Sequence, residues 1–227
     1  MSPDAPDQVS RMAAVLVTPS IGTAAPPGID RAAFARALVE DACDLMAELE
    51  LVAPAVAVSP AAERELGGLS VEELAWPGTQ VLRLAAGGGL AAQTLRGLAE
   101  LGARQGAVTV ADAPDMPLML IGKLFRALGG AQRRADVAVC PADGGGLVAM
   151  AAWLPLAEWV TAAVSHAEPS ELDLTDVVDR LTHAAPRARA VQVVPGWHRL
   201  RSAADVSHLD PGLEGWPATR SVLQSRR

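Results

Sequence analysis

Short, continuous apolar runs alternate along this chain with longer stretches in which apolar residues recur at helical intervals. The first run, residues 12–18, is apolar up to its last position, the pattern of a parallel strand buried on both faces. Asp30 then precedes Phe34, Leu38, Asp41, Leu45 and Leu49, a spacing that predicts a helix capped by that aspartate. Residues 53–59 predict a second strand, stopped by Pro60. Residues 61–74 predict a short helix, 80–84 a strand, and 90–102 a helix ending on Gly102. Two further apolar strands, 107–111 and 136–140, flank a helix over 118–128 that closes on Gly129 and Gly130. Beyond them, 147–153 predicts an irregular strand, 156–163 and 174–182 helices, 190–194 a late strand, and 217–223 a last helix. Strand–helix–strand units of this kind cross over right-handedly. The expected fold is a single α/β domain over residues 12–227, a three-layer α/β/α sandwich with a mostly parallel sheet, behind a disordered leader at residues 1–11.

Composition narrows the classes. The chain has 227 residues, enough for one large domain, and a net charge of −7, which argues against binding a nucleic-acid backbone. No apolar run reaches the ~18 residues of a membrane span, and the first residues carry Pro and Asp where a signal peptide would have basic residues. Cys43 and Cys140 sit in apolar surroundings far apart in sequence, so buried thiols in a reducing cytoplasm are expected. Lys123 is the sole lysine, and abundant Ala, Arg and Gly suggest a GC-rich bacterial coding bias.

Candidate chemistry gathers at the ends of the two middle strands. Ala107-Val108-Thr109-Val110-Ala111-Asp112 runs into Pro114, and Val137-Ala138-Val139-Cys140-Pro141-Ala142-Asp143 runs into Gly144-Gly145-Gly146. A buried strand that ends in Asp sets the acid at the sheet rim, where open α/β sheets bind ligands. Two acids at one rim can seat a divalent cation, Mg²⁺ or Mn²⁺, and a substrate phosphate. The alternative is that Asp112 and Asp143 only start turns and cap helices.

Taken in order, these segments resemble the family of unknown function grouped with nucleotide-diphospho-sugar transferases of the glycosyltransferase-A fold. Phosphoenolpyruvate and 2-phospholactate guanylyltransferases are more distant relatives. The resemblance spans residues 12–210. It rests on Val110-Ala111-Asp112-Ala113-Pro114, similar to that family's strand ending in Asp-x-Pro. It rests also on Pro141-Ala142-Asp143-Gly144-Gly145-Gly146, similar to its Pro-x-x-Asp-Gly-Gly-Tyr turn, and on Gly87-Gly88-Gly89-Leu90, similar to its Gly-Asp-Leu-Gly helix start. It implies that Asp112 and Asp143 face a metal and a nucleotide diphosphate. The first loop, 18–28, departs from the family in holding no cation, which leaves Thr18, Gly22 and the amides of a glycine-containing turn to meet phosphate. Where the family has an Asp-Val-Asp-Thr turn, this chain has Arg199-Leu200-Arg201-Ser202, or, in a shifted alignment, Asp205. Residues two apart on an extended segment share a face, so Arg199 and Arg201 together can bind a phosphate.

The expected ligand-binding set is therefore Thr18, Gly22, Gly87, Gly88, Gly89, Arg199 and Arg201, with Asp112 and Asp143 as catalytic and metal-binding acids. The partner is a nucleotide or nucleotide-sugar, and the reaction is glycosyl or nucleotidyl transfer. Two other readings stand beside it: a scaffold of this fold that has lost catalysis and serves as a binding protein, and a plain nucleotide-binding domain of flavodoxin-like order. Ser20 and Ser59 lack the surroundings of a hydrolase nucleophile. His198 is a polar side chain with a small chance of meeting ligand.

Overall fold

The apolar runs pair into one seven-stranded sheet. In the computed structural model, which describes residues 10–130, 134–164 and 170–225, they become β1 (Arg11–Val17), β2 (Ala53–Val58), β3 (Gln80–Arg83), β4 (Gln105–Val110), β5 (Val137–Pro141), β6 (Leu147–Trp153) and β7 (Val191–Val193). The order across the sheet is β3-β2-β1-β4-β6-β5-β7, and every neighbouring pair is parallel except those made by β6. The leader expected at residues 1–11 lies almost wholly outside the described residues.

Helices α1 (Arg31–Ala47), α2 (Pro60–Arg64), α3 (Leu90–Glu100) and α4 (Met119–Leu128) fill the connections between parallel strands. α5 (Glu158–Val164), α6 (Val177–Ala184) and α7 (Pro217–Gln224) follow the central sheet. Right-handed crossovers send α1 to one face and α3 and α4 to the other, because the chain leaves β1 toward β2 and returns from β3 past it to β4. Every position of β4 and β6 is buried, as a two-faced core requires.

One local expectation changes. Residues 61–74 do not form one helix: α2 ends at Arg64, and Gly67 and Gly68, at φ +66° and +93°, break the path before a 3₁₀ turn at Val71–Glu73. Residues 147–153 form a strand with an irregular step in its pairing to β5 at Cys140 and Pro141; it is antiparallel to both of its neighbours, because the turn after Pro141 is far too short for a crossover.

This topology fixes the site. The strand order reverses between β1 and β4, so the loops after them leave toward opposite faces and open a crevice at the carboxyl rim. β5 runs in the same sense as β4, so Asp112 and Asp143 both follow their strands at the carboxyl rim, with β6 between the strands.

Candidate functional site

The residues that close the crevice come from four places in the sequence. After β1 the chain folds into consecutive turns: Ile21 N–H donates to the Thr18 carbonyl and Thr23 N–H to that of Ser20. Thr18 is buried, its hydroxyl 3.0 Å from that of Ser20. Gly22, at φ +85°, lies so close to α1 that a Cβ would come within 2.9 Å of the Arg31 carbonyl. The loop therefore turns Ser20 and Thr23 outward, and it is these two, rather than Thr18 and Gly22, that line the cleft.

From the other end of the chain, residues 195–200 cross the top of the sheet. Trp197 N–H donates to the Pro141 carbonyl, Asp143 N–H to that of Trp197, and Leu200 N–H to that of Asp112. This strap carries Arg199 to Asp112. The guanidinium grips the carboxylate with both arms, Nε to Oδ1 at 2.8 Å and Nη2 to Oδ2 at 2.9 Å. Its remaining nitrogen donates to the carbonyls of Leu147 and Leu172, at 3.1 and 3.3 Å, and lies 2.9 Å from Asp173. The Arg199 side chain is 1% exposed. Burial works against its charge, but Asp112 and Asp173 outweigh it and raise its pKa above the ordinary arginine value.

Arg201, two residues on, opens into the same cleft. Among the described residues its guanidinium has no hydrogen-bond or ion-pair partner, and Asp205 accepts from its backbone N–H instead. Partial burial and the like charge of Arg199 lower its pKa. Ser20, Thr23, Asp112, Asp173, Arg199 and Arg201 line a hollow of about 340 Å³. Larger hollows exist: two, of about 440 and 630 Å³, lie toward the opposite rim with three arginines each in their walls, and one of about 400 Å³ lies beside α2, between Pro60 and Ser70. Size alone does not choose between them; the switch point and the convergent charges do.

The remaining candidates lie outside this cleft. Asp143 is exposed in the turn after β5, at the same rim but not in the lining of the hollow. Gly87, Gly88 and Gly89 do precede the first turn of α3, with Gly89 at φ +76°, but two amides of that turn are already taken. Buried Glu171 accepts from Ala91 N–H at 2.9 Å and Ala92 N–H at 3.1 Å. No local pattern marks that carboxylate, which stands 80 positions from Ala91. His198 stacks on Trp197 with ring centroids 5.0 Å apart. Its Nε2 lies 2.9 Å from Asp115 Oδ1, outside hydrogen-bond alignment. Asp115, 2% exposed, also accepts from Trp197 Nε1 and Asp210 N–H, so this cluster anchors the strap.

A divalent cation of the Mg²⁺ type wants near-octahedral oxygen ligands. The donors here do not fit one: both oxygens of Asp112 are held by Arg199, Asp173 shares the same guanidinium, and Asp143 is not in the lining of the hollow. Among the described residues no group of three or more His, Cys, Asp or Glu gathers to hold a metal.

No family model matches the sequence, and no curated protein does. Solved structures do match. A "putative nucleotide-diphospho-sugar transferase" from Desulfovibrio desulfuricans G20 is 18% identical, with 97% of this chain and 95% of that one covered at a TM-score of 0.66. 4-Diphosphocytidyl-2C-methyl-D-erythritol synthase from Anaerococcus prevotii DSM 20548 is 13% identical, covered 96% and 97%, at 0.60. CMP:2-keto-3-deoxy-manno-octonic acid synthetase, solved with CTP, is 8% identical, covered 95% and 99%, at 0.56. A manganese complex of Rv0371c from Mycobacterium tuberculosis H37Rv lies at 0.48 and 13% identity, too distant for its metal to bear on these residues. The chain has the nucleotide-diphospho-sugar transferase fold: one α/β domain with helices on both sides of a mostly parallel sheet. Among the described residues no helix is long and apolar enough to cross a membrane.

Proposed function

We propose that this protein binds a nucleotide or nucleotide-sugar in the cleft between the ends of β1 and β4 and transfers a nucleotidyl or glycosyl group. One observation carries the reading. The cleft stands at the point where strand order reverses, and it holds an arginine, Arg201, with no protein partner among the described residues. Arg201 and the Ser20 hydroxyl supply donors for phosphate oxygens, while the Thr23 hydroxyl donates to the Ser20 carbonyl and holds the loop; Asp143 borders the site on the same rim. The fold shared with nucleotide-using transferases supports the choice of ligand class.

The test is a thermal-shift screen of nucleoside triphosphates and nucleotide-sugars. A ligand that binds only the native state raises the melting temperature. We expect at least one nucleotide to do so, and Arg201→Ala to remove the shift. A flat response to every nucleotide defeats the proposal.

A second reading is favoured by a specific contact. Asp112, the acid best placed for catalysis, is wholly engaged by Arg199. On that reading the chain binds its nucleotide without transferring anything. Nucleotide-dependent stabilisation, with no diphosphate or pyrophosphate released on incubation with candidate acceptors, would decide for it.

A further inference from the structure

We infer that Arg199 is a built-in replacement for a metal ion, and that the cleft takes the phosphate of its ligand on Arg201 without a divalent cation. This rests on the reading that the cleft at the strand-order reversal is the ligand site. The resemblance and the fold lead one to expect a cation on Asp112. The structure puts a guanidinium there, and three features show it to be a seated group rather than a passing ion pair. Both arms meet both carboxylate oxygens at 2.8 and 2.9 Å. The third nitrogen is used by two backbone carbonyls and by Asp173. The side chain is 1% exposed. A cation competing for Asp112 would have to displace a buried, fully bonded arginine and leave that charge unpaired.

The charges then fall into place. Asp112 and Asp173 carry two negative charges, Arg199 answers both from one side, and Arg201 is left free to attract an anion. Gly146 makes the room. A Cβ there would come within 2.8 Å of Arg201 Nη2 and 2.6 Å of the Leu172 carbonyl, so no side chain can stand between Arg201 and the strap. This explains why the aromatic position of the resembling family's turn holds a glycine here. A planar guanidinium offers two parallel donors to one phosphate group, and the Ser20 hydroxyl lines the same hollow.

The experiment is calorimetric titration of the full chain with inorganic pyrophosphate and with CTP, in EDTA and again with Mn²⁺, together with Mn²⁺ alone. We expect pyrophosphate to bind in EDTA with an affinity within about two-fold of that in Mn²⁺, and Arg201→Ala to weaken it by about ten-fold or more, the scale of a charged bidentate contact. Mn²⁺ alone should show no stoichiometric site on the wild type. Arg199→Gln, which uncovers Asp112 and Asp173, should gain one. If that variant does not fold, the wild-type and Arg201→Ala titrations still decide. Binding that requires Mn²⁺ overturns the inference and leaves the nucleotide reading standing. A wild-type Mn²⁺ site lost in Asp112→Asn also overturns it. Pyrophosphate bound in EDTA with no nucleotide bound supports it while defeating the nucleotide reading. No binding in any arm overturns both.

Discussion

Asp112 and Arg199 are 87 positions apart and end up as a buried, two-armed ion pair at the rim. A buried pair of this kind is costly to break from one side, because the survivor stays charged and unsolvated. Arg199→Ala and Asp112→Ala should each lose about 3–5 kcal/mol in urea unfolding. The double variant should lose clearly less than the sum, since the second change removes an already orphaned charge. Additive losses would show that the two side chains act independently. Gly146 offers a cleaner contrast, because Gly144 in the same turn has nearly the same φ, +79° against +78°, but open space where its Cβ would stand. Both alanine variants bear the left-handed strain, so the extra loss in Gly146→Ala, about 1 kcal/mol or more, reports crowding against Leu172 and Arg201. Equal melting temperatures would refute that. At this scale the sequence was half legible. The i, i+2 spacing marked Arg199 and Arg201 as a pair, but which acid each would meet depends on a strap crossing the sheet, and no local pattern encodes that.

The elements are joined by two buried carboxylates that cap helices from a distance. Asp41 on α1 accepts from Ala218 N–H at 2.9 Å and Thr219 N–H at 2.8 Å, amides of the first turn of α7 that lack a partner within their own helix. Asp41→Ala should cost about 1–3 kcal/mol and loosen α7 first, seen as early loss of protection in its amides during hydrogen exchange. Unchanged α7 exchange would show the contact to be incidental. Glu171 does the same for α3. Burial raises its pKa, with the Ala91 and Ala92 amides pulling the other way. The sign follows directly. A carboxyl whose folded pKa is raised contributes stability that is complete below its unfolded pKa and is lost as pH rises through the folded one. Glu171→Gln keeps an acceptor for the amides but cannot ionise. The stability of the wild type relative to this variant should therefore fall as pH rises above the ordinary glutamate range in urea unfolding. A difference that grows with pH would mean that the helix amides outweigh the burial. The strands themselves were plain in the sequence, because runs such as Ala13–Val17 and Val137–Cys140 are buried on both faces and tolerate no polar side chain. The antiparallel direction of β6, which the apolar pattern does not itself reveal, follows instead from the brevity of the turn between Asp143 and Gly146. Glu171 was not legible either: a lone acid beside Leu172 looks like any solvated residue until α3 packs against it.

Across the whole molecule, stability and function occupy opposite ends of a gradient. β4 and β6 are buried along their full length at the centre of the sheet, whereas the edge strands β3 and β7 are short and partly exposed. The strand-order reversal lies beside the most rigid part, so the loops that build the cleft hang from a firm base while remaining at the surface themselves. This explains how much of the site could be foreseen. The rim was fixed by the order of apolar runs and crossovers, but Ser20, Thr23 and Asp173 reach the cleft only because loops from separate crossovers converge there. Hydrogen exchange can read the arrangement directly. The amides of Val108 and Met150 should exchange only through global unfolding, and those of Leu82 and Gln192 through local opening at much lower free energy. Addition of a nucleotide that raises the melting temperature should slow exchange in residues 18–23, 112–116, 171–175 and 197–202. Residues 122–130, which border the opposite rim, should be left unchanged. Protection confined to the opposite rim would move the ligand site to the arginine-walled hollows there, and edge strands as protected as β4 would remove the gradient on which this placement depends.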